Sequence, residues 1–139
     1  MISILLPVDG SEGSARAVRT VIKLYQRLAP VEIRLVHVEV SDGVPEHALG
    51  GPSSATRDLR ESGKHALAAA QSLLEQADVP CTSEVRKGYV PLVIAEYAKT
   101  MNCDAIVMST RGMGSTGEIL GSIARQVIGL ADIPVTLVK

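Results

Sequence analysis

The sequence predicts an α/β fold in which five parallel strands form one sheet with helices on both faces, a Rossmann-like open sandwich with strand order 3-2-1-4-5. Three observations predict the alternating parallel fold, and 3-2-1-4-5 is the strand order that we expect for it. Short apolar segments alternate strictly with amphipathic helical segments along the chain, the first segments are apolar on both faces, and glycine or proline separates most of them. The 139 residues suit a single domain spanning residues 1–139.

The first half of the chain contains two predicted strands and one predicted helix. Ile2 to Val8 is apolar on both faces and therefore reads as a buried strand. Apolar residues then recur at helical spacing from Ala15 to Ala29, and Pro30 ends this helix. A second strand covers Val31 to Val40, and a long loop rich in glycine and proline follows from Ser41 to about Arg57.

The second half repeats the alternation. The third strand of the chain, Cys81 to Arg86, has an alternating pattern rich in polar residues, which predicts a position at the edge of the sheet. The segments are a helix from about Thr56 to Ala77, a strand from Cys81 to Arg86, a helix opened by Gly88-Tyr89-Val90-Pro91, a strand from Ala105 to Met108, a glycine-rich turn from Ser109 to Gly117, a helix carrying Ile119, Leu120, Ile123, Val127 and Ile128, and a last strand from Pro134 to Val138.

Composition excludes several classes of function. The net charge of −1 and the absence of Phe and Trp argue against a nucleic-acid binder, which needs a basic surface or aromatic platforms. No apolar run approaches a membrane span, and the N-terminus carries no secretory signal, so we expect a soluble, cytoplasmic protein. Cys81 and Cys103 lie outside any CxxC pattern, and the histidines lack metal-ligand spacing.

The segment from Ser109 to Ser122 is the strongest candidate for chemistry. Four glycines and five hydroxyl residues lie in this segment between a strand and a helix, which is typical of a loop that binds phosphate through backbone amides. The alternative is a plain flexible turn. Gly112-Met-Gly114-Ser-Thr-Gly117 fits the pattern GxGxxG, but it lies in the last unit of the fold, so NAD binding is not favoured. A P-loop is not favoured either, because Glu118-Ile119 stands where that motif requires Lys-Ser/Thr.

The whole chain resembles the universal stress protein family. The resemblance is carried by Ile-Leu-Leu-Pro-Val-Asp-Gly-Ser-Glu at the start, His37-Val38, Gly88-x-x-Pro91, Ser109-Thr-Arg-Gly-Met-Gly, Gly121-Ser122 and Asp-Ile-Pro-Val-Thr-Leu-Val-Lys at the end.

This resemblance implies a stress-response regulator that binds an adenine nucleotide at the carboxyl ends of strands 1 and 4. The expected ligand is ATP or AMP, and Mg²⁺ can accompany ATP. It also implies a homodimer through the last strand, Pro134 to Val138. The implied nucleotide-binding residues are Pro7, Val8, Asp9, Val38, Met108, Ser109, Arg111, Gly112, Gly121, Ser122 and Ile123.

The chain departs from the family pattern Gly-x2-Gly-x9-Gly-Ser/Thr at two places. Ser109 occupies the first glycine position, and only eight residues separate Gly112 from Gly121. An alternative function is therefore a dimeric interaction module that binds no nucleotide. No general base is evident near the phosphate site, so at most slow ATP hydrolysis is expected.

Two residues have alternative interpretations that the sequence leaves open. Asp9 either contacts the adenosine or forms an Asx turn that supports the first helix, and both interpretations can hold. His37 lies inside an apolar strand and is expected to be a buried, hydrogen-bonded histidine rather than a catalytic one.

Overall fold

The structure is a computed structural model that describes residues 1–25, 27, 30–40, 54–112 and 120–139, with only the backbone described for residues 54–60 and 62. Strands and helices alternate throughout, as predicted. The elements are β1 (Ile2–Pro7), α1 (Glu12–Tyr25), β2 (Val31–Val40), α2 (Ser54–Gln76), β3 (Cys81–Gly88), α3 (Val90–Thr100), β4 (Ala105–Ser109), α4 (Ser122–Leu130) and β5 (Val135–Val138).

The five strands form one parallel sheet in the order β3-β2-β1-β4-β5, which confirms the predicted fold and strand order. In the registers of the central strand β1, Ile4 lies opposite Ile33 of β2 and Ala105 of β4. The polar strand β3 lies at one edge of the sheet, as predicted, and the short strand β5 lies at the other. The carboxyl ends of β1, β2 and β4 consequently lie at the same edge of the sheet. The topological switch point is between β1 and β4, so β2 and β1 lie on one side of it and β4 on the other.

Each face of the sheet is covered by two helices and has its own apolar cluster. Alternate residues of β1 enter opposite clusters, because successive side chains of a strand point to opposite faces: Ile4 and Leu6 pack with α1 and α2, whereas Leu5 packs with α3 and α4. Both clusters are built mainly from Val, Ile, Leu and Ala, since the chain has no Phe or Trp. The sheet is therefore buried on both faces, which explains why its central strands read as continuous apolar runs.

Several helix boundaries differ from the sequence prediction. Helix α1 ends at Tyr25 instead of reaching Ala29, and α2 begins at Ser54 within the predicted loop. Helix α4 begins at Ser122, so Leu120 precedes the helix that was expected to contain it. The physical reason is that Gly121 has extended backbone angles (φ −67°, ψ 157°) and its N–H donates to the Thr110 carbonyl, 2.6 Å away, which ties the chain to the end of β4.

The remaining predicted features fall partly outside the described residues. These are the loop from residue 41 to 53 and the glycine-rich turn over residues 113–119. Among the helices that the structure describes, none combines the length and apolarity that crossing a membrane requires.

Tyr97 of α3 is buried against β3 and joins a polar group at that edge of the sheet. Its hydroxyl donates to Glu84 Oε2 at 2.6 Å, and the guanidinium of Arg86 lies 5.0 Å from the ring centroid while binding Glu84 at 3.0 Å. Burial, followed by the hydrogen bond and the charge of Glu84, raises the pKa of Tyr97 from 10.0 to about 12. The hydroxyl thus stays protonated in the folded chain at pH values where it ionises in the unfolded chain.

We expect Tyr97 to titrate at a pH above the ordinary range of a tyrosine hydroxyl. Because its folded pKa lies above its unfolded pKa, its contribution to stability is complete below pH 10 and is lost as the pH rises through about 12. Absorbance at 295 nm against pH should show a late step that Tyr97→Phe removes. A titration in which the wild type and Tyr97→Phe differ only by one tyrosine of ordinary pKa would contradict this prediction.

Candidate functional site

A cavity of about 320 Å³ opens at the carboxyl ends of β1, β2 and β4. Its position is the one that an open parallel sheet offers for a ligand, where the strand order reverses between β1 and β4. Ten of the eleven residues predicted to bind a nucleotide line it. They are Pro7, Val8, Asp9, Val38, Met108, Ser109, Gly112, Gly121, Ser122 and Ile123.

The eleventh predicted residue, Arg111, is exposed and does not line the cavity. Its described contact is through the backbone, since its carbonyl accepts a hydrogen bond of 2.7 Å from the Ser109 hydroxyl. The contribution of Arg111 in this structure is thus to the shape of the turn after β4.

Seven lining residues were not among the predicted site residues. Three of them could have been predicted because they adjoin predicted site residues in the sequence: Val36 and His37 directly precede Val38 in β2, and Thr110 follows Ser109. The others depend on helix packing that spacing alone does not give. The seven are Ser14, Val36, His37, Val90, Ile94, Thr110 and Ala124.

Asp9 closes β1 and organises the start of α1. Its Oδ1 accepts the Ser11 N–H at 2.9 Å, and Ser11 Oγ in turn accepts the Ser14 N–H at 3.1 Å. The first contact is an Asx turn and the second is a helix N-cap, so the structural interpretation of Asp9 is confirmed. The other carboxylate oxygen faces Gly112, where an added methyl group would collide with it. Asp9 therefore lies between the end of β1 and the turn that follows β4.

Ser109 stands where the family pattern has its first glycine. A β-carbon on Gly13 of α1 would lie only 2.8 Å from Ser109 Cβ and 2.7 Å from the Arg111 carbonyl oxygen. The serine side chain is accommodated because the facing helix position has no side chain. Ser109 Oγ also donates to that Arg111 carbonyl, so the serine stabilises the turn.

The first turn of α4 forms the polar wall of the cavity. Gly121 is the N-cap residue, and no side chain among the described residues caps the amides of the first turn. The N–H of Gly121 is occupied by Thr110, whereas Ser122, Ile123 and Ala124 begin the helix, where backbone amides have no intrahelical acceptor. These amides and the helix dipole favour an anion at this wall.

The opposite wall is apolar and is fixed by His37. Val38 and Met108 are buried in the cluster that also contains Ile94 of α3. His37 Nδ1 lies 2.9 Å from the Val8 carbonyl oxygen, and its ring packs so closely on Gly63 of α2 that a β-carbon there would collide with it. The expected hydrogen bond of His37 is thus present, although the side chain is half-buried and lines the cavity rather than lying fully in the core.

The charges around the cavity are few. Asp9 is the carboxylate in its lining, and no Lys or Arg belongs to the lining within the part of the chain that the structure describes. The same part contains no group of three or more His, Cys, Asp or Glu residues that could hold a metal ion. An anionic ligand would therefore be bound here mainly by backbone amides and hydroxyl groups.

Comparison with known proteins gives consistent matches over the whole chain. The model of the universal stress protein family matches residues 1–139. Universal stress protein MJ0531 of Methanocaldococcus jannaschii is 32% identical over 137 residues, which cover 98% of this chain and 81% of that protein. The solved structure of hypothetical protein MJ0577 has a TM-score of 0.84 at 25% identity and covers 99% of this chain and 94% of its own.

Three further structures of similar fold contain a nucleotide. The universal stress protein of Archaeoglobus fulgidus in complex with dAMP has a TM-score of 0.75 at 23% identity, covering 100% of this chain and 98% of that one. A family member from Arabidopsis thaliana has AMP bound, with a TM-score of 0.72 at 21% identity and coverage of 100% and 92%. A universal stress protein in complex with cAMP has a TM-score of 0.69 at 18% identity and coverage of 99% and 95%.

The family model matches every residue, the identity to MJ0531 extends over nearly the whole chain, and the fold is similar to that of MJ0577. The chain belongs to the universal stress protein family.

Proposed function

We propose that this protein is a cytoplasmic stress-response regulator that binds an adenine nucleotide in the cavity between β1 and β4, with ATP or AMP as the ligand. One observation carries the proposal: a single cavity joins an apolar wall, a carboxylate and an uncapped helix N-terminus. These three surfaces match the base, the ribose and the phosphate of a nucleotide in that order. Its volume of about 320 Å³ is within the range of small-molecule sites.

The apolar wall suits the adenine ring. Val38, Met108 and Ile94 present buried aliphatic and thioether surface, which can pack against a flat base. Asp9 lies next to this wall, and a carboxylate can accept hydrogen bonds from ribose hydroxyls in addition to the one it receives from Ser11. The bound AMP and dAMP of the structural relatives support an adenylate as the class of ligand.

The phosphate would bind at the first turn of α4. The amides of Ser122 and Ile123, the Ser122 hydroxyl and the helix dipole provide donors and partial positive charge there. Where Mg²⁺ accompanies ATP, phosphate oxygens and water would supply most of its coordination, because the described residues offer no cluster of acidic ligands.

A second function is favoured by two observations. The Gly112-x8-Gly121 spacing is one residue short of the family pattern, and the Gly121 amide is engaged by Thr110. If these features disable the phosphate wall, the protein is a dimeric interaction module that binds no nucleotide.

The two functions are distinguished by the contents of the purified protein. Denatured protein is analysed for released nucleotide by anion-exchange chromatography, and the stripped protein is titrated with ATP and AMP by calorimetry. We expect stoichiometric binding of at least one of them. Absence of both co-purified nucleotide and heat of binding would overturn the nucleotide proposal and favour the interaction module.

Gly112→Ala tests the site with a small change. The added methyl group collides with Asp9 and should displace its carboxylate, so adenylate affinity should fall by about tenfold or more, as expected when a hydrogen bond to a charged group is lost. Calorimetry measures this loss. Gly129→Ala is the matched control, because a β-carbon at Gly129 meets nothing within 4 Å, and its affinity should equal that of the wild type.

The proposed homodimer would form through β5 and its flanking Pro134. This strand pairs only with β4 in the described sheet, so its other edge offers backbone groups for pairing with a second copy, as the family resemblance implies. Thr136 is exposed in the middle of β5.

Thr136→Lys should weaken this dimer, because a lysine on an edge strand opposes pairing with another strand. Light scattering after size exclusion should give twice the 14.7 kDa of one chain for the wild type and a lower mass for the variant. Thr82→Lys on β3, the opposite edge strand, is the control and should leave the mass unchanged. A monomeric wild type, or a variant with undiminished dimer, would contradict the assignment.

A further inference from the structure

The hydroxyl of Ser122 is held by a side chain that does not line the cavity. Gln126, one helical turn further along α4, has its Nε2 atom 3.0 Å from Ser122 Oγ and 3.3 Å from the Ser122 carbonyl oxygen. A carbonyl oxygen only accepts hydrogen bonds, so the atom that contacts it must be the amide nitrogen of Gln126. Gln126 is therefore the donor to Ser122 Oγ, and the amide cannot be turned round without losing the carbonyl contact.

The other end of the Gln126 amide is also held. The hydroxyl of Tyr89, the N-cap residue of α3, donates to Gln126 Oε1. Tyr89 is 59% exposed, so burial of its ring does not explain why it reaches from α3 to α4. The preceding residue, Gly88, has a φ of +144°, a conformation that side-chain-bearing residues rarely adopt, and it sets the direction in which the chain enters α3. The three side chains form one directed series from Tyr89 through Gln126 to Ser122.

This series determines what the Ser122 hydroxyl can bind. An oxygen that accepts a hydrogen bond from Gln126 keeps its own proton for donation, and Ser122 donates to no acceptor among the described residues. Ser122 lines the cavity at the first turn of α4, where the amides are donors as well. A ligand group that meets several donors and no acceptor must itself be an acceptor, and a phosphate oxygen meets that requirement.

We propose that Gln126 is a positioning residue that makes Ser122 a dedicated donor to the phosphate of the bound nucleotide, and that Tyr89 fixes the orientation of Gln126. The inference rests on the proposed nucleotide site and adds a source of specificity to it. Ligands that carry a phosphate at this wall gain from the series, whereas a nucleoside that lacks one does not.

The test compares ligands with and without phosphate. AMP and ATP are titrated by calorimetry into the wild type, Gln126→Ala, Tyr89→Phe and Ser122→Ala, and adenosine affinity is measured with the same four proteins at higher concentration. We expect Gln126→Ala and Ser122→Ala each to weaken AMP about tenfold, the worth of one hydrogen bond to a charged group, and to leave adenosine unchanged. Tyr89→Phe should show a smaller loss with the same dependence on phosphate.

A double variant and a matched control separate positioning from a general structural effect. Because Gln126 acts through Ser122, the double variant Gln126→Ala, Ser122→Ala should bind AMP no more weakly than Ser122→Ala alone. Gln76→Ala is the control, since Gln76 Nε2 donates to Ser72 Oγ at 3.1 Å with the same four-residue spacing in α2, away from the cavity. Its affinities should match those of the wild type.

The outcomes point in different directions. Equal losses for AMP and adenosine, or additive losses in the double variant, would overturn the positioning role while leaving the nucleotide site intact. A wild type that binds neither AMP nor ATP would overturn the proposed function itself, and the positioning role would fall with it.

Discussion

The close approach of the β1 and β4 ends is the constraint on which the rest of the site depends. Asp9 faces Gly112 at a distance that leaves no room for a β-carbon, and Ser109 packs in the same way on Gly13 of α1. Both contacts bring a polar side chain against the backbone of a neighbouring segment. Without these two glycines the ends of the central strands would separate, and the cavity between them would lose its defined width. The packing on Gly13 also leaves room for the side chain of Ser109 at the position where the family pattern has glycine.

The groups that support the fold here also line the cavity. Asp9 organises the first turn of α1 through Ser11 while it lies at the cavity, and His37 contacts both the Val8 carbonyl and Gly63 of α2 while it lines the opposite wall. A substitution at either residue would alter helix placement and ligand contact together, so a loss of affinity alone would not identify a binding role. The substitution at Gln126 is more informative, because its effect is expected only for ligands that carry a phosphate and because Gln76 provides a control with the same spacing in α2.

Local patterns in the sequence were sufficient to predict the alternating parallel fold, and the family resemblance supplied ten residues that line the cavity. Continuous apolar runs mark buried parallel strands, and the residues that end β1, β2 and β4 must meet at one side of such a sheet.

The sequence was insufficient where contacts between distant segments determine the structure. The contact between Gly121 and Thr110 fixes where α4 begins, and the hydroxyl of Tyr89 reaches Gln126 across 37 positions of sequence. The four-residue spacing of Ser122 and Gln126 was visible, but the direction of their hydrogen bond depends on the Ser122 carbonyl and on Tyr89. The phosphate contact predicted for Arg111 stays a prediction, since its side chain is exposed and its described hydrogen bond is the one that its carbonyl accepts from Ser109.

The short glycine motif is best judged by the donors that remain rather than by the number of residues. One amide, that of Gly121, is used within the protein to join α4 to β4. This bond fixes the start of the helix, and the three following amides and the Ser122 hydroxyl lie at the cavity as a result. An internal hydrogen bond that anchors the first turn also reduces the motion of the other donors, and a rigid set of donors binds an anion with a smaller loss of entropy than a flexible one. The deletion would thus exchange one ligand contact for a more rigid helix start. Such an exchange favours a site in which the first turn of α4 and the Ser122 hydroxyl supply most of the phosphate contacts.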